Sequence, residues 1–287
     1  MKPIGNYFYV LYFCSRISKK YLKIADELIN RVSKPVTLGL RDSGLAQIAL
    51  FLFIYSRLKE DAKYEEIANR LLDKCLTIVN KNRARYDFAS QLTDTGRIID
   101  LLVNDKYFEV DSSEFDLCFE KPLMNRLRND VGVDFGFQTG ITGICDFFLN
   151  RLDEQEALEI TFAYIFSGLG IEGYLKHPIE SLFLFPSEIL RDVKIFFNKL
   201  RKLNKSIPQK ELQEQAIRKL ESKRILRSNC HEYSILQDLR EAGIRDDRNK
   251  IRSSMKIIAS SSSNLIFRGL AFMSMEDETL SNWWKLV

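Results

Sequence analysis

Apolar positions recur every three to four residues over most of the chain, and they do so in two alternating styles. From Ile17 to Val32, the residues Ile17, Tyr21, Ile24, Ala25, Leu28 and Val32 share one face while charges occupy the other. That pattern predicts an amphipathic helix stopped before Pro35. Ser43 to Leu58 is apolar nearly all round, which predicts a helix buried on every side. Lys63 to Val79 is amphipathic again, through Tyr64, Ile67, Leu71, Leu72, Cys75 and Ile78. The alternation continues with Leu92 to Val103 apolar, Ser112 to Leu127 amphipathic and Gly140 to Leu152 apolar. The acidic run Asp153-Glu154-Gln155-Glu156 then suits the start of another helix through its dipole. Inner apolar helices followed by outer amphipathic ones are the pattern of helix pairs in two concentric layers. Strand signals are few: Tyr7 to Phe13 fits either state, and no hairpin dipeptide follows it.

Beyond residue 168 the character changes. Gly168, Gly170, Gly173, His177 and Pro178 predict a loop, and Pro186 precedes a helix over Ser187 to Leu203. Residues 199–256 form a divergent, highly charged stretch with helices predicted at Gln209 to Lys223 and Ser234 to Ala242. Its basic residues read as a solvated face, because Glu211, Glu214, Glu221 and Asp238 are interleaved among them. Ser260 to Ser263 reads as a short connection before a last apolar helix.

A short glycine motif is superimposed on this alternation. It stands at Gly39 to Leu50 and Phe137 to Phe147, with weaker copies at Asp94 to Leu102 and Phe267 to Met273. Gly44 to Gly96 is 52 residues and Gly96 to Gly140 is 44, a period that fits a helix pair with its loops. Glycine at or near a first turn lets two backbones approach closely, since no Cβ intervenes. The expectation is one all-α domain over residues 1–287, built of helical hairpin repeats and irregular in its second half.

Composition narrows the partners. The chain has 287 residues, 45% of them apolar, enough for a sizeable core. Its formal charge of +4 comes from 43 basic and 39 acidic residues spread along the chain, which argues against a nucleic-acid partner. Pro3, Gly5 and Asn6 interrupt any export signal, and the longest apolar run, Ile48 to Tyr55, is too short to span a membrane. Five scattered cysteines, Cys14, Cys75, Cys118, Cys145 and Cys230, suit reduced thiols and predict a cytoplasmic protein. Most sit among apolar neighbours, where cysteine behaves as a small buried hydrophobe.

The motif Gly-Leu-x-x-Ser-Gly-Leu-Ala-x-Ile-Ala-Leu-Phe-Leu-x-x-Tyr from Gly39 to Tyr55 resembles the first repeat of lanthionine synthetase C-like (LanC-like) proteins. The segment Asn264 to Ala271, with Trp283-Trp284-Lys285-Leu286 after it, resembles their closing repeat, and the copy around Gly140 and Gly143 fits a middle one. The resemblance implies an α/α toroid with a zinc at its centre, held by two cysteines and a histidine. Such a zinc lowers the pKa of a substrate thiol and readies the thiolate to add to a dehydroamino acid. Cys230-His231 matches the family's cysteine-histidine pair, followed by Glu232 where the family carries glycine. The second cysteine has no counterpart. His177, in the stretch where that ligand belongs, completes a candidate set of Cys230, His231 and His177. Only 38 positions separate His231 from Gly269, which reads as too few for a full helix pair.

Three functions stay open on this reading. The preferred one is a metal-free LanC-like protein that binds a modified precursor peptide, or a peptide-modifying protein, during maturation of a ribosomally made peptide. The others are an active zinc-dependent thioether cyclase and a helical-repeat interaction scaffold. Asp42 and Asp94, each two residues before a repeat glycine, are helix N-caps or line the ring's opening. Asp134 with Asp146, and Asp246 with Asp247, read as surface or cap carboxylates.

Overall fold

A computed structural model describes residues 22–30, 43–82, 89–107, 109, 111–129, 135–137, 140–169, 187–205, 210–222, 231–262, 264–276 and 283. Among these the regular structure is helical, with no strand. Tyr7 to Phe13, Cys14, Asp42, Asp134, His177 and Cys230 lie outside the described residues.

Residues 22–30 form α1. Next come α2 (Ser43–Lys59), α3 (Ala62–Asn82) and α4 (Ala89–Asn104). A continuous helical run then joins α5 (Ser112–Phe115) to α6 (Lys121–Asn129) through a π turn at Asp116–Glu120, where the Lys121 N–H donates to the Asp116 carbonyl. The rest are α7 (Ile141–Phe148), α8 (Glu154–Gly168), α9 (Ser187–Lys202), α10 (Lys210–Ser222), α11 (His231–Ile244), α12 (Arg248–Ser261) and α13 (Leu265–Glu276). As the pattern predicts, α2 is buried from Leu45 to Ser56 except at Gln47, and α3 buries Ala68, Leu71, Leu72, Cys75 and Val79 along one stripe.

Packing follows the chain. Helix α2 pairs with α3, α7 with α8, α9 with α10 and α11 with α12. The first helices of these pairs also touch in order through α4: α2 meets α4, α4 meets α7, α7 meets α9 and α9 meets α11. Helix α12 leads to α13, and α13 packs back on α2. Gly269 makes that last approach possible: a Cβ there would stand 2.3 Å from the Phe51 ring, which is fully buried. Trp283 packs over α13, its ring stacked on Phe267 with centroids 6.0 Å apart and its Nε1–H donating to Ser274 Oγ at 2.7 Å.

A repeated helix ending accompanies this order. Glu60, Lys106, Asn150, Asn204 and Asp246 have φ between 51° and 71°, and each follows one of α2, α4, α7, α9 and α11. Four of these ends share one hydrogen-bond pattern. Asp61, Tyr107, Lys205 and Asp247 donate their N–H groups five residues back, to the carbonyls of Ser56, Leu102, Leu200 and Ala242. That is the Schellman closure, which satisfies carbonyls a helix end would otherwise leave open.

Three expectations need correction. Helix α7 stops at Phe148 rather than Leu152, because Asn150 turns into the left-handed region and its N–H goes to Glu154; Leu152 is fully exposed. The 38 positions before Gly269 do hold a helix pair, α11 and α12, joined by a turn of only three residues. Helix α12 also runs through Ser260 and Ser261, so the connection to α13 is shorter than the serine run suggests. Ile251, Met255, Ile258 and Ala259 turn its inner face to the core, and Asp247 caps it, accepting from the Lys250 N–H at 3.0 Å. Among the described residues no helix is long and apolar enough to cross a membrane.

Candidate functional site

The second glycine motif does its work at the start of α7. A Cβ on Gly143 would fall 1.8 Å from the Phe137 carbonyl oxygen, so only glycine lets that peptide lie against the first turn. Seated there, Phe137 gives its N–H to Asp192 Oδ2 at 3.0 Å, and its carbonyl accepts from Arg97 Nη1 at 3.4 Å. Its ring lies under two cations, with Arg97 Cζ at 3.7 Å and Arg240 Cζ at 3.2 Å from the ring centroid.

Around this peptide four helices, α4, α7, α9 and α11, contribute polar or charged groups. Asp146 from α7 pairs with Arg97 of α4 at 3.3 Å and with the Lys199 ammonium of α9. Asp192 of α9, fully buried, accepts at Oδ1 from Arg240 Nη1 and Gln237 Nε2 of α11, both at 3.0 Å. Burial alone would raise the pKa of Asp146, but Lys199, Arg97 and Arg240 together hold its carboxyl below the ordinary carboxylate range. Asp94, one turn before Arg97, goes the other way: burial pushes it up to about 6, and the attraction of Arg97 only partly opposes the rise. Desolvated ion pairs of this kind add little net stability, because loss of water offsets most of the Coulombic gain, but removing one partner strands a buried charge.

Toward the C-terminal ends of α7, α9 and α11 the cluster opens into a cleft of about 310 Å³. Ile195, Phe196, Leu203 and Ile244 supply apolar walls, and Phe137, Asp146, Lys199 and Arg240 lie among the lining. Lys202 pairs at the margin with Asp246 at 2.5 Å. Lysine 199 is the accessible member of the inner group, a third exposed, while Asp146 and Arg240 are almost fully covered. Cys75, Cys118 and Cys145 are buried thiols outside any disulfide, and burial pushes the Cys145 thiol up to about 12.

The residues singled out from the sequence lie elsewhere or play other parts. Of the zinc candidates, Cys230 and His177 fall outside the described residues, and His231 is the first residue of α11 with its side chain likewise outside them. At helical rise, His231 is about 18 Å along α11 from Gly243 in the cleft. Among the described residues no three histidine, cysteine or acidic side chains gather as a metal site would require. Asp94 is not a helix cap, because α4 begins at Ala89 and the residue sits inside it. Asp146 is no surface or cap carboxylate either, since two cations on neighbouring helices draw it inside. Asp247 is the cap that the sequence suggests.

Arg97, Asp146, Asp192, Lys199, Gln237 and Arg240 were not legible as a group. A signal existed in part: Asp146 is the one charge in the otherwise apolar α7, and Asp192 and Lys199 stand seven apart on one face of α9. Comparison with family models, with curated proteins and with solved structures finds no match to this chain.

Proposed function

We propose that the protein is a ring of helical hairpins that binds a peptide in the cleft at the C-terminal ends of α7, α9 and α11, the metal-free LanC-like role. The cleft carries this reading: apolar walls with a few convergent charged groups are the make-up of a ligand site, and its buried ion pairs fix the walls in place. The α/α toroid is supported by the order of contacts, from α2 through α4, α7 and α9 to α11, and from α13 back to α2. The repeated left-handed helix endings support it further, as they recur at roughly the spacing of the glycine motifs. Buried thiols outside any disulfide fit a reducing compartment.

Selection of a displayed random-peptide library on the full-length protein tests the proposal. Enriched sequences are then titrated by fluorescence anisotropy against wild type and Leu203→Asp. Saturable binding that Leu203→Asp weakens by about tenfold, ~1.4 kcal/mol, is the expected result. Binding indifferent to Leu203→Asp would move the site elsewhere, and no saturable binding would remove the peptide role. Metal analysis of the same preparation separates the cyclase. Stoichiometric zinc that vanishes in Cys230→Ala and His231→Ala would replace the binding role with a catalytic one.

A further inference from the structure

The cleft is small and its charges are unequal. Its volume of about 310 Å³ lies at the lower edge of the range for ligand sites, a size that suits one residue and part of the next. Three cations line it, Lys199, Lys202 and Arg240, against two carboxylates, Asp146 and Asp246. The carboxylates are poor partners for an incoming cation. Asp146 is already shared between Arg97 and Lys199, and Asp246 stands at the rim with most of its side chain in water. Schellman bonds also occupy the Leu200 and Ala242 carbonyls near the ends of α9 and α11. The accessible inner charge is therefore the Lys199 ammonium, placed beside apolar walls.

From this juxtaposition we infer that the cleft holds the C-terminal residue of a peptide, its apolar side chain against Phe196, Leu203 and Ile244 and its α-carboxylate on Lys199 and Lys202. The inference rests on the peptide-binding reading and names the part of the peptide that is read. A chain terminus carries a carboxylate and a side chain on one carbon, which matches cations and apolar walls in one small cleft. An internal acidic residue instead has chain on both sides and carries its carboxylate further from the backbone, at the end of its own side chain.

Isothermal titration calorimetry on the full-length protein decides the source of the carboxylate with three probes. They are acetyl-Gly-Ala-Leu as the free acid, the same peptide as its C-terminal amide, and acetyl-Gly-Glu-Leu amide, which carries its carboxylate internally. The free acid is expected to bind at least about tenfold more tightly than either amide, an advantage that shrinks with added salt, as a partly exposed ion pair requires. Lys199→Gln should remove most of the advantage. Lys202→Gln, at a half-exposed position that folding tolerates, should remove part of it. Equal binding of acid and amide, equal binding of the internal glutamate, no binding of any probe, or an advantage intact in both variants would each overturn the inference. If library peptides still bind in a Leu203-dependent way while the acid shows no advantage, the peptide role stands and only the terminal carboxylate falls.

Discussion

Glycine at two repeat positions is required to different degrees, and the distances say how. At Gly143 a methyl group would collide with a backbone oxygen whose peptide is pinned by Arg97 and Asp192, so relief needs main-chain movement. At Gly96 it would meet only the rings of Phe119 and Phe147, at 3.0 and 3.1 Å, and the helix gains about 1 kcal/mol of propensity in return. Denaturant titration should therefore show Gly143→Ala losing about 3 kcal/mol or more, and Gly96→Ala staying within about 1 kcal/mol of wild type. Asp94 makes a pH prediction. Its folded pKa of about 6 exceeds the ordinary 3.8, so between those values the folded state holds a proton that the unfolded state has lost. Its contribution to stability is greatest below about pH 4, falls as pH rises to 6 and is flat above, a change of about 3 kcal/mol. Asp94→Asn should flatten that part of the stability profile and raise stability at pH 8. Asp146, held low, acts in the opposite sense, and its contribution is lost only in more acid solution.

Helix endings carry the repeat as faithfully as the glycines do, but through residues that no glycine search would find. Glutamate and lysine take the left-handed position after α2 and α4, asparagine after α7 and α9, aspartate after α11. A side chain with a Cβ costs about 1 kcal/mol there, less for asparagine. Thermal unfolding should show Lys106→Gly and Glu60→Gly gaining up to about 1 kcal/mol, with Asn204→Gly close to neutral. Helix α12 was within reach of the sequence, since Ile251, Met255, Ile258 and Ala259 have helical spacing. The charged surroundings hid it, because Arg248, Lys250 and Arg252 leave Ile251 as the one apolar residue in its first five positions.

At the scale of the molecule the decisive contact is α13 on α2, which sets a late helix against an early one. A closed, compact molecule of 287 residues has a radius of gyration of about 19 Å. Small-angle scattering should return that value for the full chain, and a clearly larger one would mean an open stack. Gly269→Leu, which forces a side chain into the buried Phe51 ring, should lower the midpoint of the whole unfolding transition rather than fray one end. A separate early transition confined to α13 would show the ends to be independent.

Periodicity determined most of the helices, and up to residue 152 the alternation of apolar and amphipathic ones, because each depends on residues within a few turns of one another; α12 and the end of α7 escaped it. The charged site was settled only in three dimensions. Arg97 and Asp146 are 49 residues apart, and Asp192 and Arg240 are 48. A lone charge on an apolar helix gives no sign of its partner until packing removes both from water. Then an unpaired ion becomes too costly, and the fold brings together what the chain had kept apart.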